Sequence, residues 1–139
     1  MILIDTNVFS ELVKPQPDDR VVDWLFHRRA ETLLSTIVAA ELDFGVRAIR
    51  SEPKRTLLAR WLERLIDAHA GRIVDFDLPS ARRWGALGAA AVIAGQRAGA
   101  RGFDTLIAAQ ALERGLPIAT RNVRDFENIG LTLLNPWAV

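Results

Sequence analysis

A chain of 139 residues with 50% hydrophobic and 25% charged residues suits one globular domain with a buried core and excludes a disordered protein. No apolar run nears the roughly 20 residues of a membrane span, the N-terminal run is too short for a signal peptide, and the lack of cysteine excludes disulfides and thiolate-bound metals, which leaves a cytoplasmic protein as the expectation. The net charge of +1 hides a skew, because only Lys14 and Lys54 are lysines among 18 cations; arginine suits bidentate phosphate contacts, and a GC-rich genome produces the same bias.

Ile2-Leu3-Ile4 runs straight into Asp5, Thr6 and Asn7, and helical spacing begins behind them, so a buried strand turns into a helix there. Pro15-Gln16-Pro17-Asp18 breaks the chain, and a second helix runs from near Asp18 to about Arg29. Thr32–Ser35 reads as a strand, with Thr36 as the cap of a helix through Arg47. After Ser51-Glu52-Pro53 comes an amphipathic helix striped by Leu57, Leu58, Trp61, Leu62, Leu65 and Ile66. Ile73–Phe76 is a third strand, and Pro79 opens a long Ala- and Gly-rich helix. Gly99–Gly102 is a loop before the almost wholly apolar helix Phe103–Leu112, which Gly115 ends. Leu116–Thr120 and Leu131–Leu134 complete the strands. Strands alternating with helices predict a single α/β domain, a three-layer α/β/α sandwich around a parallel sheet of about five short strands.

Three carboxylates keep apolar company. Asp5 falls at the carboxyl end of the first strand, where open parallel sheets place their ligands, although capping the next helix is an equal reading. Glu41 has Ile37, Val38, Phe44, Gly45 and Ala48 as helical neighbours, which places it on the core-facing side unless it sits at the stripe's edge and reaches water. Asp43, by contrast, pairs with Arg47 four residues on. Asp104 has Ile107, Ala108 and Ala111 beside it, and it too is placed to serve as a plain cap. Asn122 and Asp125 are ordinary turn residues after the fourth strand. Together these groups can converge on one sheet edge, with Asp5 and Thr120-Asn122 facing across the switch point.

Oxygen donors without Cys or a convergent His favour Mg²⁺ or Mn²⁺ over Zn²⁺. His27 and His69 fall on predicted surface helices, away from this chemistry. Crowded carboxylates raise one another's pKa unless a cation neutralises them, and such a site suits phosphate chemistry. Asp75 and Asp77 form a D-x-D that imitates a phosphatase nucleophile, though Asp77 better caps the helix at Pro79. The glycine-rich phosphate loops of dinucleotide-binding domains and P-loops are absent. Arg47, Arg50, Lys54, Arg55, Arg60 and Arg64 outnumber Glu52 and Glu63 and make either an RNA-facing surface or a solvated helix face.

The pieces Ile4-Asp5-Thr6-Asn7-Val8, Ala40-Glu41-Leu42 with Gly45-Val46, Asp104–Ala109, Thr120–Phe126 and Leu134–Trp137 span the chain in one order. In these the sequence resembles the PIN-domain proteins, specifically the VapC-type toxins of bacterial toxin–antitoxin pairs in the subgroup close to FitB. The resemblance implies a metal-dependent endoribonuclease in which Asp5, Glu41 and Asp104 bind the metal. Thr6 and Thr120 would orient the ligands or the attacking water. Asn122 stands where many relatives carry a fourth acid, so a second metal is in doubt or its charge passes to Asp125. The implied reaction is attack of metal-activated water on an RNA phosphodiester, leaving a 5′-phosphate and a 3′-hydroxyl. The implied partners are a second copy of the chain and a VapB-type antitoxin that enters the acidic pocket, in a higher assembly. Two other functions fit the residues: a small-molecule phosphohydrolase using Asp75 or Asp5 as nucleophile, and a non-catalytic binding module of the same fold.

Overall fold

The computed structural model describes residues 1–95 and 102–139. β1 (Ile2–Ile4) is buried along its whole length. It is the central strand of a five-stranded sheet with β2 (Thr32–Ser35), β3 (Ile73–Val74), β4 (Ile118–Ala119) and β5 (Leu133–Leu134), in the order β3-β2-β1-β4-β5. Every pairing is parallel, with Leu3 opposite Leu33 on one side and Ile118 on the other. The chain lays down β1, β2 and β3 outward in one direction, then returns to set β4 against the free side of β1. That reversal makes the crevice beyond β1 and β4 the switch point, as expected.

Among the described residues six helices flank the sheet: α1 (Thr6–Glu11), α2 (Asp19–His27), α3 (Thr36–Arg47), α4 (Glu52–Ala68), α5 (Leu78–Ile93) and α6 (Phe103–Arg114). The expected three-layer α/β/α arrangement is therefore met. Leu3, Ile4, Val8, Phe9, Leu34, Val38, Ile107, Ile118 and Phe126 fill the core, each contributing about 1.5–3 kcal/mol of transfer free energy. On α4, Leu62 is buried and Leu58, Trp61, Leu65 and Ile66 pack against the core. Leu57 does not join them and lies 64% exposed.

The elements end where the backbone finds other partners. β3 stops at Val74, two residues short of expectation, because the Phe76 N–H turns to the Thr36 hydroxyl at 3.1 Å. The cap of α3 is Ser35 and not Thr36, since β2 runs without a loop into the helix and Ser35 Oγ accepts the Ile37 N–H at 3.0 Å. Asp77 caps α5 by accepting the Ser80 N–H at 3.0 Å, as expected, and also meets Arg114 at 3.0 Å. Gly115 closes α6 at φ 64°, a left-handed conformation that glycine adopts without a Cβ penalty. The expected loop at Gly99–Gly102 lies outside the described residues except for Gly102, the N-cap of α6.

Two buried polar side chains lock this frame. Gln110 on α6 is fully buried; its carbonyl accepts from Ser35 Oγ and its amide donates to Val74 O at 3.2 Å, so it ties α6 to the ends of β2 and β3. His69 is also buried, contrary to the surface position expected of it. Its ring meets Phe9 edge-on at 5.4 Å, Nδ1 donates to Leu65 O at 2.8 Å, and Nε2 lies 2.9 Å from Thr32 Oγ1. Burial lowers its pKa below 6.5, and the nearby charge of Arg72 adds to the effect. The unfolded chain therefore takes up a proton first, so this contribution is whole above the unfolded value and is lost as pH falls through it. A His69→Gln protein should show a smaller drop in Tm than wild type between about pH 7.5 and about pH 5.5, followed by circular dichroism. An equal drop would acquit His69 of the acid lability.

Candidate acidic site at the switch point

Asp5 ends β1, and its backbone N–H donates to Ala119 O at 2.9 Å, which binds the strand end to β4. Its side chain is 3% exposed yet satisfied. Oδ1 accepts the Thr6 N–H at 2.8 Å, and Oδ2 accepts Thr120 Oγ1–H at 2.7 Å and Asn7 Nδ2–H at 3.2 Å. The two readings of Asp5 are thus compatible, because one oxygen caps α1 while the other faces the crevice. Thr120, fully buried, is the hub: it gives its proton to Asp5 and accepts from the Asn122 N–H at 3.0 Å.

Glu41 is half-buried and held by Thr6 Oγ1, which donates to its Oε1 at 3.1 Å. The expected core-facing position of Glu41 is met only in part. The core seam of α3 is Val38, Leu42 and Val46, whereas Phe44, Gly45 and Ala48 are exposed. Glu41 therefore lies on the flank of the seam, above Thr6. Asp104 is in the first turn of α6, but the helix has no side-chain cap and the Asp104 carboxylate makes no hydrogen bond among the described residues. The plain-cap reading fails for it.

Burial is the leading cause that raises the pKa of Asp5, of Glu41 and of Asp104. Repulsion comes behind it: Asp5 and Asp104 act on Glu41, Asp5 and Asp125 act on Asp104, and Asp125 acts on Asp5. The four carboxylates therefore share one electrostatic neighbourhood. Asp125 is exposed on the 3₁₀ turn Val123–Phe126 and brings to this neighbourhood the charge that Asn122 lacks. Asn122 is exposed as well and, among the described residues, bonds only through its backbone. Among the described residues, no three Asp, Glu, His or Cys side chains stand close enough, as placed, to grip one ion.

Asn7 is a site residue that the sequence reading passed over. Besides Asp5 it reaches Thr120 Oγ1 at 3.5 Å, and its Oδ1 accepts the Arg121 N–H at 3.2 Å, so it stitches α1 to the segment after β4. Its place in the D-T-N run was the available signal. Asp75 is exposed after β3, two strands from β1, and does not approach this group. The Arg47–Asp43 pair forms at 2.7 Å, and Arg47, Arg55, Arg60 and Arg64 line a groove of about 610 Å³ between α3 and α4.

Carboxylates from β1, α3 and α6 gathered at the switch point of a short parallel sheet define a PIN-type domain. The chain belongs to the PIN domain family, whose model matches residues 2–131. It is 42% identical to "VapC ribonuclease Y4jK" of Sinorhizobium fredii (strain NBRC 101917 / NGR234), over 99% of this chain and 98% of that protein. To "Toxin FitB" of Neisseria gonorrhoeae (strain ATCC 700825 / FA 1090) it is 39% identical, over 99% of each. The crystal structure of FitAcB from Neisseria gonorrhoeae superposes with a TM-score of 0.88 over the full length of both chains, at 37% identity. Dependence on a divalent metal is general among PIN-domain VapC ribonucleases. Among the described residues no helix is long and apolar enough to cross a membrane.

Proposed function

We infer that this chain is the toxin of a toxin–antitoxin pair and acts as a cytoplasmic endoribonuclease on RNA phosphodiesters. The observation that carries the reading is the shared electrostatic neighbourhood of Asp5, Glu41 and Asp104 at one sheet edge, each raised by burial. Such a group is costly unless a cation joins it, and its hard oxygen donors suit Mg²⁺, with Mn²⁺ as a substitute. Asp5, Glu41 and Asp104 would hold the ion. Asp104, which has no hydrogen bond to break among the described residues, would turn toward it.

The bound ion supplies positive charge against the phosphate and makes water a better nucleophile. The residues do the rest. Thr120 and Asn7 fix the Asp5 carboxylate and Thr6 fixes Glu41, through donors that favour the ionised acids. Asp125 and Asn122 border the same crevice and complete the polar rim. The expected products carry a 5′-phosphate and a 3′-hydroxyl. The resemblance to VapC-type toxins also supports a homodimer and a VapB-type antitoxin in a higher assembly, and Phe44 and Ile93, at 74% and 87% exposed, leave apolar surface for such contacts.

Chelation tests the reading. RNA cleavage should disappear in EDTA and return with excess Mg²⁺ or Mn²⁺, with end-group analysis giving 5′-phosphates. Undiminished cleavage in chelator would overturn it.

A further inference from the structure

Arg121 follows Thr120 directly, and the backbone around it is tied to the acidic centre on three sides. Thr120 bonds Asp5, the Arg121 N–H donates to Asn7 Oδ1 at 3.2 Å, and the Asn122 N–H returns to Thr120 Oγ1 at 3.0 Å. The neighbouring strand delivers an aromatic ring to the same edge. The Thr120 N–H donates to Leu134 O at 2.9 Å, after which Asn135 Oδ1 accepts the Trp137 N–H at 3.0 Å and turns the chain into a 3₁₀ turn at Pro136–Ala138. The Arg121 guanidinium carbon lies 5.2 Å from the centroid of the Trp137 ring. This contact orients a planar cation while leaving its edge donors for another group.

Arg121 is exposed and forms no ion pair among the described residues. Glu11 and Asp18 feel its charge, but each is already bound: Glu11 to Lys14 at 2.8 Å and Asp18 to Arg20 at 2.8 Å. An uncommitted cation backed by an indole thus borders a cluster of acids that would repel a polyanion. A single strand of RNA presents phosphates for the guanidinium and bases for stacking.

We propose that Arg121, held on Trp137, is the binding subsite for the nucleotide next to the scissile phosphate, taking its phosphodiester on the guanidinium edge. The proposal rests on the ribonuclease reading and names the substrate contact which that reading leaves open. The fold supplies its own control. Arg28 lies 5.0 Å from the Trp24 ring in the same kind of contact, but it ends α2 ahead of β2 and so belongs to the opposite edge of the sheet.

The test is the anisotropy of a short fluorescein-labelled single-stranded RNA on the full chain in EDTA across a salt series, with KM and kcat measured separately in Mg²⁺. Arg121→Gln should bind about tenfold more weakly, flatten the slope of log affinity against log salt by about 0.7, and raise KM more than it lowers kcat. Arg121→Lys should keep the slope and still lose affinity, because it retains charge without the planar fork. Arg28→Gln should match wild type. The proposal is overturned if Arg121→Gln keeps wild-type affinity and slope, if Arg28→Gln weakens binding equally, or if only kcat falls. Should Arg121→Gln not fold, Arg121→Lys decides, and wild-type affinity in it would overturn the subsite. Wild-type protein that cleaves RNA while its Arg121 variants behave normally sinks the subsite alone. Wild-type protein that neither binds nor cleaves RNA sinks the ribonuclease reading with it.

Discussion

An Asp5→Asn protein loses RNA cleavage by about 10³-fold or more, the scale expected when a ligand to the catalytic cation goes. The argument is geometric. The Asp5 oxygens accept from the Thr6 N–H, the Thr120 hydroxyl and the Asn7 amide. Asparagine keeps a single acceptor oxygen and turns an NH₂ toward groups that are themselves donors. That mismatch costs about 1–3 kcal/mol of stability, but the strand stays in place because β2 and β4 hold β1 from both sides. Thr120→Val tests the same centre from outside the ligand set and should cost roughly 10–100-fold, through a carboxylate that is present but loosely aimed. Single-turnover cleavage rates, compared with circular dichroism of the same samples, separate lost chemistry from lost fold. Wild-type rates in Asp5→Asn would remove Asp5 from the chemistry altogether.

Asp104→Asn should be equally inactive and, in the metal-free protein, more stable than wild type. Its carboxylate is half-buried, makes no hydrogen bond among the described residues and faces the negative charge of Asp5 and Asp125. A carboxyl group whose folded pKa is raised weakens the fold once pH climbs past the unfolded value, because the native state must then hold a charge it resists. Neutralising it removes that burden and strands no partner among the described residues. By analogy with like-charge pairs on protein surfaces, the gain is a few tenths of a kcal/mol to about 1 kcal/mol near neutral pH, roughly 1–5 °C in Tm. The advantage should shrink as pH is lowered and wild-type Asp104 takes up its own proton. A differential scanning measurement in EDTA decides it, and a lower Tm for Asp104→Asn at neutral pH would contradict the electrostatic account. The opposite stability effects follow from the hydrogen bonds that Asp5 would lose and from the burial and repulsion that Asp104 would shed.

The fold was largely legible because strand β1 is a solid apolar run and each helix start carries its own chemistry, Asp18, Ser51 and Asp77 among them. Local pattern was less able to fix where short strands stop, since β3 ends when the Phe76 N–H finds a hydroxyl 40 residues away. In the candidate site, Asp5, Glu41 and Asp104 stood out as carboxylates in apolar surroundings. The detail failed at Glu41, because a count of helical neighbours cannot tell a buried Val38 from an exposed Phe44. Asn7, Gln110 and His69 were out of reach for a different reason. Their meaning lies in partners 113, 75 and 37 residues distant, Thr120, Ser35 and Thr32, and no spacing rule spans such gaps.

The side chains that hold the acids in position are the hydroxyls of Thr6 and Thr120 and the carboxamide of Asn7. None of these ionises in the range where a protein lives. The donors therefore keep one protonation state while the acids they face change theirs, and the bonds between them favour the charged acids. A fall in pH removes charge from the crevice and in the same step weakens the bonds that aim its acids, so charge and alignment rise and fall together through three neutral side chains.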